Sequence, residues 1–342
     1  MHMADALLSP AVGLAMDAVS LAAIGLAVAK VKKNELIESK APIMGVAGAM
    51  VFAAQMINFT IPGTGSSGHI GGGILLAGLL GGTPAFLSLT AVLIIQCLFF
   101  ADGGLLALGC NIFNMGVIPC LVVYPLVFKP LIAGGINNRR ISTAAVVSSA
   151  AGLMLGAFCV VFQTSLSGIT LLPFGAFTAL MLPIHLVIGL VEGIVTAGVL
   201  CFIHKMRPEI ISSAQTGERT GGAPLRAVSI VVFALALICG GLLTFFSSSN
   251  PDGLEWAIER TAKKTAGEVT QLEDAGYLHS AAARAQENTA IFPDYGYAGD
   301  PEGKTGTSVA GVAGAVITFA LAGSAGLVIS KIKKSKRAAA NG

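Results

Sequence analysis

Long apolar runs recur along this chain, and they constrain its fold more than any other feature. A helix that spans a membrane needs roughly 20 apolar residues. Nine apolar runs are present, at about 11–29, 42–61, 70–83, 84–101, 104–128, 141–164, 174–204, 226–246 and 308–330. Only 11% of the residues are charged, whereas a soluble domain carries roughly 25%. The sequence therefore predicts an all-α integral membrane protein.

The run at 70–83 is the weakest of the nine, because it is short and rich in glycine. It predicts either a tilted short helix or a re-entrant segment packed against protein. If it crosses, the chain crosses nine times.

The distribution of basic residues supports nine crossings with the N-terminus outside. Alternating sides from that start places 16 of the 21 basic residues on the inner side, as the positive-inside rule requires. The other five lie in one long loop, where the rule is weak. No Lys or Arg precedes the first run, so a cleavable signal peptide is not expected. We therefore expect a multi-pass protein of the bacterial inner membrane with a cytoplasmic C-terminus.

The predicted crossings fall into two modules. Residues 1–206 form a seven-helix membrane domain, and a polar cytoplasmic linker follows at 207–225. Residues 226–342 form a two-helix module around an outer loop at 247–307. That loop contains ten of the 18 acidic residues, so it is net acidic.

The first residues form a candidate metal chelate. A histidine at position 2 allows the Met1 amine, the His2 amide nitrogen and the His2 ring to close fused rings around one ion. A second histidine, His69, lies on the same predicted outer face in a glycine-rich stretch and can complete a plane of four nitrogens. Square-planar nitrogen sites suit nickel(II) or copper(II). An incidental terminal histidine is the alternative.

Several motifs carry a resemblance to a known family. They are Met1-His2-Met3-Ala4-Asp5, the loop from Thr64 to His69, the stretch Phe99-Phe100-Ala101-Asp102-Gly103-Gly104-Leu105 and the stretch Asn111-Ile112-Phe113-Asn114-Met115-Gly116. Over about residues 1–205 the chain resembles the CbiM/NikM family, the substrate-binding membrane subunits of cobalt and nickel energy-coupling-factor transporters. The resemblance implies that the Met1 amine, the His2 amide and ring nitrogens and the His69 ring hold Ni²⁺ or Co²⁺ as cargo. No catalytic cofactor is expected.

The chain departs from the commonest family pattern at Met3-Ala4 and at Ala6. Neither departure removes a ligand, but both leave the metal preference open. Residues 250–256, Asn-Pro-Asp-Gly-Leu-Glu-Trp, resemble the outer motif of a NikN-type partner subunit. The chain thus resembles two subunits fused into one.

Polar residues near the predicted outer face are candidates for orienting the histidines. Such side chains are costly at membrane depth and usually face an interior or a cavity. They either hold the histidines by hydrogen bonds or bond helix to helix. The candidates are Gln55, Asn58, Asp102, Asn111 and Asn114.

His185 and Glu192 lie seven residues apart in one apolar run and so face the same way. They form either part of an inward path for the ion or a proton, or a buried pair that satisfies itself. His279 in the outer loop has no metal-spaced neighbour, so we expect it at the solvated surface.

The energy source must lie on other chains. Gly303-Lys304-Thr305 resembles the end of a phosphate-binding loop, but Ala298 stands where its first glycine belongs. The resemblance implies a CbiQ/NikQ-like membrane coupling subunit and a CbiO/NikO-like ATPase as partners. Small residues on the first helix, Ala11, Ala15, Ala18 and Ala22, offer a close packing face for that coupling subunit or for a helix of this chain.

The function that we expect is therefore metal capture for a multi-chain importer, in contact with membrane lipid and not with nucleic acid. The alternative is a self-sufficient secondary transporter, for which only His185 and Glu192 could relay ions. A membrane enzyme of corrinoid metabolism is disfavoured, since no nucleophile and base are arranged for catalysis.

Overall fold

The protein is all-helical in a computed structural model that describes residues 1–33, 37–217, 226–264, 276–297 and 303–340. A two-stranded antiparallel hairpin, β1 (Phe59–Ile61) and β2 (Ser66–Gly68), interrupts the helices. The helices are α1 (Pro10–Lys33), α2 (Ile37–Gln55), α3 (Gly73–Leu80), α4 (Gly82–Phe100), α5 (Leu108–Ile132), α6 (Asn138–Ser167), α7 (Phe174–Met206), α8 (Pro208–Thr216), α9 (Arg226–Gly241), α10 (Gly253–Lys264), α11 (Tyr277–Thr289) and α12 (Lys304–Ala340). Each of the nine predicted apolar runs contains a helix, and the predicted fold class is confirmed.

Within the described residues, six helices are long and apolar enough to cross a membrane. They are Pro10–Val31, Gly82–Phe100, Leu108–Ile132, Asn138–Ser167, Phe174–Met206 and Lys304–Ser324. Ala41–Gln55 and Ser229–Gly241 are shorter apolar helices. The chain is therefore a multi-pass membrane protein.

Helix α5 contains Pro119 and Pro125. Each proline lacks the N–H that an α-helix uses. The hydrogen bonds of Phe113–Phe128 accordingly follow the wider π-helical pattern, which keeps the helix continuous across both prolines.

The weakest predicted run combines a short non-helical start with a short helix. Helix α3 has eight residues, so it is about 12 Å long and cannot span alone. The residues before it, from His69 to Gly72, are not helical. The segment starts next to the hairpin, where Ser67 donates to Pro251, and ends at Gly81, which approaches Ala214 of α8. It thus runs from one end of the bundle to the other.

The non-helical start, from His69 to Gly72, lies inside protein, where side chains hydrogen-bond the backbone of Gly71 and Gly72. Glu192 accepts hydrogen bonds from the backbone N–H groups of Gly71 and Gly72 at 2.7 and 3.1 Å. The Gln55 side chain donates to the Gly71 carbonyl at 2.8 Å. Non-helical backbone at membrane depth is tolerated only when protein or a cavity surrounds it, and both conditions hold here.

Helix α12 packs against both α2 and α9 through glycines. A Cβ atom on Gly45 would lie 2.9 Å from the carbonyl oxygen of Phe319, and one on Gly240 would lie 2.8 Å from that of Gly311. Small residues allow such close helix contacts in membranes. The two modules therefore share one packed body.

Part of the segment expected to be a linker is also packed. Helix α8 buries Ile210 and Ile211, and the Tyr124 hydroxyl donates to the Ala214 carbonyl at 3.1 Å. The remainder of that segment, 218–225, lies outside the described residues.

The glycine contact between α9 and α12 can be tested by adding one methyl group. A Cβ on Gly311 would overlap the Gly240 carbonyl, so Gly311→Ala should destabilise the protein by about 1–3 kcal/mol. Gly198→Ala is the matched control, since nothing lies within 4 Å of a Cβ there. Thermal unfolding in detergent measures both variants. Equal midpoints for the two would contradict the packing described.

Candidate metal site

The first three residues are inserted into the bundle rather than left in solvent. Met1 is 5% exposed and Met3 is fully buried. Asn111 fixes the Met3 backbone twice: its Oδ1 accepts from the Met3 N–H at 2.7 Å and its Nδ2 donates to the Met3 carbonyl at 3.2 Å. The Gly104 N–H also donates to that carbonyl, at 2.9 Å. The N-terminus is thereby held at one end of the bundle.

The terminal amine meets His69 and Asp252 at this point. The Met1 nitrogen lies 3.2 Å from His69 Nε2 and 2.7 Å from Asp252 Oδ2. His69 Nδ1 lies 3.2 Å from the Ile70 carbonyl oxygen, which can only accept. The Nδ1 therefore carries the proton, and the lone pair of Nε2 points to the amine. The sequence brings amine and ring together from positions 68 residues apart.

The two histidine rings stack beside each other. The His2 and His69 centroids are 5.4 Å apart and the ring planes differ by 14°. Among the described residues, the buried His2 Nε2 has no hydrogen-bond partner. Burial lowers the pKa of His2 below its ordinary value, although nearby Asp102 opposes this. The neutral ring, which is the form that binds metals, is therefore favoured at neutral pH.

Asp252 serves as the counter-ion of the amine. Burial would raise the pKa of its carboxyl, but the Met1 amine, the neighbouring His69 and the hydrogen bonds that the carboxylate accepts together outweigh burial and hold that pKa well below the usual range. The Asp252 Oδ1 also accepts from the N–H groups of Leu254 and Glu255 at 2.8 and 2.9 Å. The same carboxylate thus caps the N-terminus of helix α10 and pairs with the amine.

A second contact from the C-terminal module reaches His2 through Asp102. The His2 Nδ1 lies 3.2 Å from Asp102 Oδ1, and the Tyr295 hydroxyl donates to Asp102 Oδ2 at 2.6 Å. The Tyr295 ring stacks on Phe100 with centroids 5.0 Å apart. The position of the His2 ring therefore depends on residues from both halves of the chain.

Two small cavities are lined by Met1. The first, of about 10 Å³, is lined by Met1, His69, His185 and Asp252 among others. The second, of about 20 Å³, is lined by Met1, Ser149 and Glu192 among others. Both share Met1, Gly71, Met115 and Leu153, so they are neighbours.

His185 and Glu192 do not satisfy each other. The His185 Nδ1 contacts the Met181 carbonyl at 2.8 Å, while Glu192 binds the two glycine amides. The alternative of a mutually satisfied pair is therefore wrong. His185 lines the first cavity and Glu192 the second.

Three other polar candidates, Gln55, Asn58 and Asn114, form hydrogen bonds away from the two histidines. Asn114 exchanges two hydrogen bonds with Gln163, at 2.7 and 3.0 Å, and so joins α5 to α6. Gln55 holds the Gly71 carbonyl and accepts from Gln96 at 2.8 Å. The backbone of Asn58 contacts Ser247 and Ser248. These three residues support the surroundings of the site rather than touching either histidine.

Sequence reasoning missed the contributions of Asp252 and Tyr295. Asp252 was visible in the Pro-Asp-Gly-Leu-Glu stretch, but nothing in the sequence linked it to Met1. The prediction that His279 lies free at the surface is wrong, because its Nε2 lies 2.9 Å from the Leu8 carbonyl oxygen. Gln286 similarly donates to the Gly103 carbonyl at 2.8 Å. Helix α11 therefore covers the inserted N-terminal segment.

The arrangement can hold a cation mainly through nitrogen atoms, some from side chains and some from the backbone. Among the described residues, no three His, Cys, Asp or Glu side chains are placed to hold a metal ion. The candidate ligand set therefore combines two imidazoles with the terminal amine and backbone. The fold and the site together define a multi-pass membrane protein with a buried, nitrogen-rich pocket at one end of its bundle.

Comparison with known proteins gives the family. The model of the family described as "Cobalt uptake substrate-specific transmembrane region", CbiM, matches residues 2–210, and that of the PDGLE domain matches 226–331. The chain belongs to the CbiM family, fused to a PDGLE domain. It is a metal transport protein and not an enzyme.

Several known proteins are similar to this chain. A protein of Archaeoglobus fulgidus that is named a fused nickel transport protein, NikMN, is 31% identical over 94% of this chain and 96% of its own length. The cobalt transport protein CbiM of Geobacter sulfurreducens is 28% identical over 78% of each chain. The crystal structure of a truncated transition metal transporter covers 60% of this chain and 99% of its own, with a TM-score of 0.53 and 29% identity.

The ion pair between Met1 and Asp252 gives a direct test of the site. Removing one partner of a buried pair leaves an uncompensated charge and costs about 3–5 kcal/mol. Asp252→Asn should therefore lower the unfolding midpoint and make the terminal amine several-fold more reactive toward an acylating reagent, as measured by mass spectrometry.

Glu259→Gln is the matched control, because Glu259 pairs with Lys263 at the surface at 3.8 Å. That variant should leave both the midpoint and the amine reactivity unchanged. An amine that stays equally protected in Asp252→Asn would show that the pair does not hold the N-terminus.

Proposed function

We propose that this protein captures Ni²⁺ or Co²⁺ at its extracytoplasmic N-terminus and delivers the ion inward as the substrate-binding part of an importer. The observation that carries this proposal is the meeting of the Met1 amine, the His2 ring and the His69 Nε2 in one buried pocket. Relatives named for nickel and for cobalt transport support the choice of cargo.

The ligands that we propose are the Met1 amine, the His2 amide nitrogen, the His2 Nδ1 and the His69 Nε2. Neighbouring nitrogens in such a plane lie about 2.8 Å apart when each is about 2.0 Å from the metal. The amine and His69 Nε2, at 3.2 Å, need to approach only slightly. A planar all-nitrogen set favours Ni²⁺, and the relatives support either metal.

Chelation requires the His2 ring to change partner. Its Nδ1, which closes the second chelate ring, faces Asp102 in this structure. Rotation about the Cβ–Cγ bond releases Nδ1, and the unpartnered Nε2 becomes the group available to Asp102. Binding also expels protons from the amine and the amide, so metal affinity falls as the pH falls.

The orientation follows from the basic residues. With most Lys and Arg on the other side, the end of the bundle that carries Met1, the hairpin and Asp252 faces outward. We therefore place the protein in the cytoplasmic membrane of a prokaryote, with its C-terminus inside. The fused module, which contacts the N-terminal segment through Asp252, Tyr295 and His279, then serves to load the ion or to order that segment.

Energy comes from separate chains in this proposal. A CbiQ/NikQ-like coupling subunit and a CbiO/NikO-like ATPase are the partners that the family suggests. The small-residue face of α1 supports docking of the coupling subunit, because Ala11, Ala15, Ala18 and Ala22 are exposed and no described helix of this chain covers them. A secondary transporter would instead take up metal with this chain alone and stop when an uncoupler is added.

Extension of the N-terminus by one residue is the sharpest test of the proposed site. It moves the amine out of ligand position and leaves every side chain in place. Nickel affinity, measured by calorimetry on tag-free protein whose intact mass confirms the terminus, should fall at least about 100-fold, since both chelate rings lose their common anchor. Affinity equal to that of the unextended chain would remove the terminal chelate from the proposal.

Tyr295 tests the contribution of the fused module to the metal site. Tyr295→Phe removes only the hydroxyl that holds Asp102. Loss of such a partner typically weakens metal binding about 10–100-fold, and we expect nickel affinity to fall by about 10-fold in calorimetry. Tyr277→Phe is the matched control, because Tyr277 is 86% exposed. The same affinity in both variants would show that the module does not tune the site.

A further inference from the structure

Glu192 is a buried carboxylate without a counter-ion. It is 2% exposed in the middle of α7, and no described Lys, Arg or His side chain forms an ion pair with it. Its two oxygens accept only the N–H groups of Gly71 and Gly72 among the hydrogen bonds of the described residues. Ionisable groups at membrane depth are costly and are retained where cations or protons pass.

A second unsatisfied group shares the cavity of Glu192. The Ser149 hydroxyl is 1% exposed and has no hydrogen-bond partner among the described residues. Both residues line the cavity of about 20 Å³ that also touches Met1. Asn114 lines it as well, but its amide is occupied by Gln163. The cavity is thus lined by one carboxylate and by one hydroxyl that has no partner among the described residues.

Glu192 also fixes the segment that carries His69. The two N–H groups that it holds lie two and three residues beyond His69, in the non-helical start of the crossing segment. Gly72 has a φ of 75° and Val51 lies within 2.5 Å of where its Cβ would be, so only glycine fits here, and a glycine backbone takes several conformations unless contacts hold it. The position of His69 against the amine therefore depends on the same two carboxylate oxygens.

We propose that Glu192 and Ser149 form an inner cation station next to the terminal chelate, and that a divalent metal ion arriving there releases Gly71 and Gly72 and so withdraws His69. The ion and the two N–H groups compete for the same oxygens, so occupation of the inner station weakens the outer site. Transfer then has a direction, because arrival inside removes one ligand outside. This inference rests on the proposed function, since it takes its ion from the terminal chelate.

The test uses a full-length, tag-free chain that carries a one-residue N-terminal extension together with His69→Ala, which disables the outer site. In lipid nanodiscs with Ni²⁺ alone, this chain should still bind one nickel ion weakly. Nickel should also accelerate hydrogen exchange at the amides of residues 71–72 by several-fold. Adding Glu192→Gln or Ser149→Ala should weaken the residual binding at least tenfold.

Ser148→Ala is the matched control. Ser148 is equally buried and its hydroxyl also has no partner among the described residues, but it does not line this cavity. Its addition should leave the residual binding and the exchange unchanged. Thermal unfolding checks that each variant is folded, and Ser149→Ala carries the test if Glu192→Gln does not fold.

The outcomes separate the two proposals. Absence of residual nickel binding, or residual binding that survives both Glu192→Gln and Ser149→Ala, would overturn the inner station. Tight binding that persists in the extended His69→Ala chain without either added change would instead contradict the terminal chelate. Nickel binding without faster exchange at residues 71–72 would overturn the release of the glycines.

Discussion

The ion pair between the Met1 amine and Asp252 is the interaction on which the rest of the site depends. It joins the first residue to position 252, and the Met1 and Asp252 side chains are only 4% and 20% exposed. A charge placed this deep needs a partner, and here each group is the partner of the other. With the amine fixed, the His69 Nε2 and the His2 ring have a defined place to meet it.

The two halves of the chain form one site rather than two neighbouring domains. The C-terminal half supplies Asp252 to the amine, Tyr295 to Asp102 and His279 to the Leu8 carbonyl. The N-terminal half supplies His2, His69 and Asn111. Glycine contacts between α2, α9 and α12 hold the halves together within the bundle. Removal of the C-terminal module would therefore leave the amine without the Asp252 carboxylate and Asp102 without the Tyr295 hydroxyl.

Apolar length and charge placement were sufficient to predict the nine helical segments, because a bilayer imposes both. The meeting of Met1 and His69 followed from counting crossings, since that count places both residues on the same side. Asp252 and Tyr295 could not be found in this way. Their contacts join positions 251 and 193 residues apart. Only the packing of the outer loop decides which of its side chains reach Met1 and Asp102. The non-helical start of the crossing segment could not be predicted either, because glycines permit several backbone conformations and Glu192 selects one.

Fusion has a consequence for the order of events at the site. Because Asp252 and Met1 belong to one chain, their encounter is intramolecular, and the effective concentration of one for the other does not depend on how much protein is present. The ion pair between the Met1 amine and Asp252 therefore needs no bimolecular assembly step and does not weaken when the protein is dilute. Two separate polypeptides would make the same contact only in proportion to their abundance in the membrane, whereas here every copy of the chain carries its own Asp252.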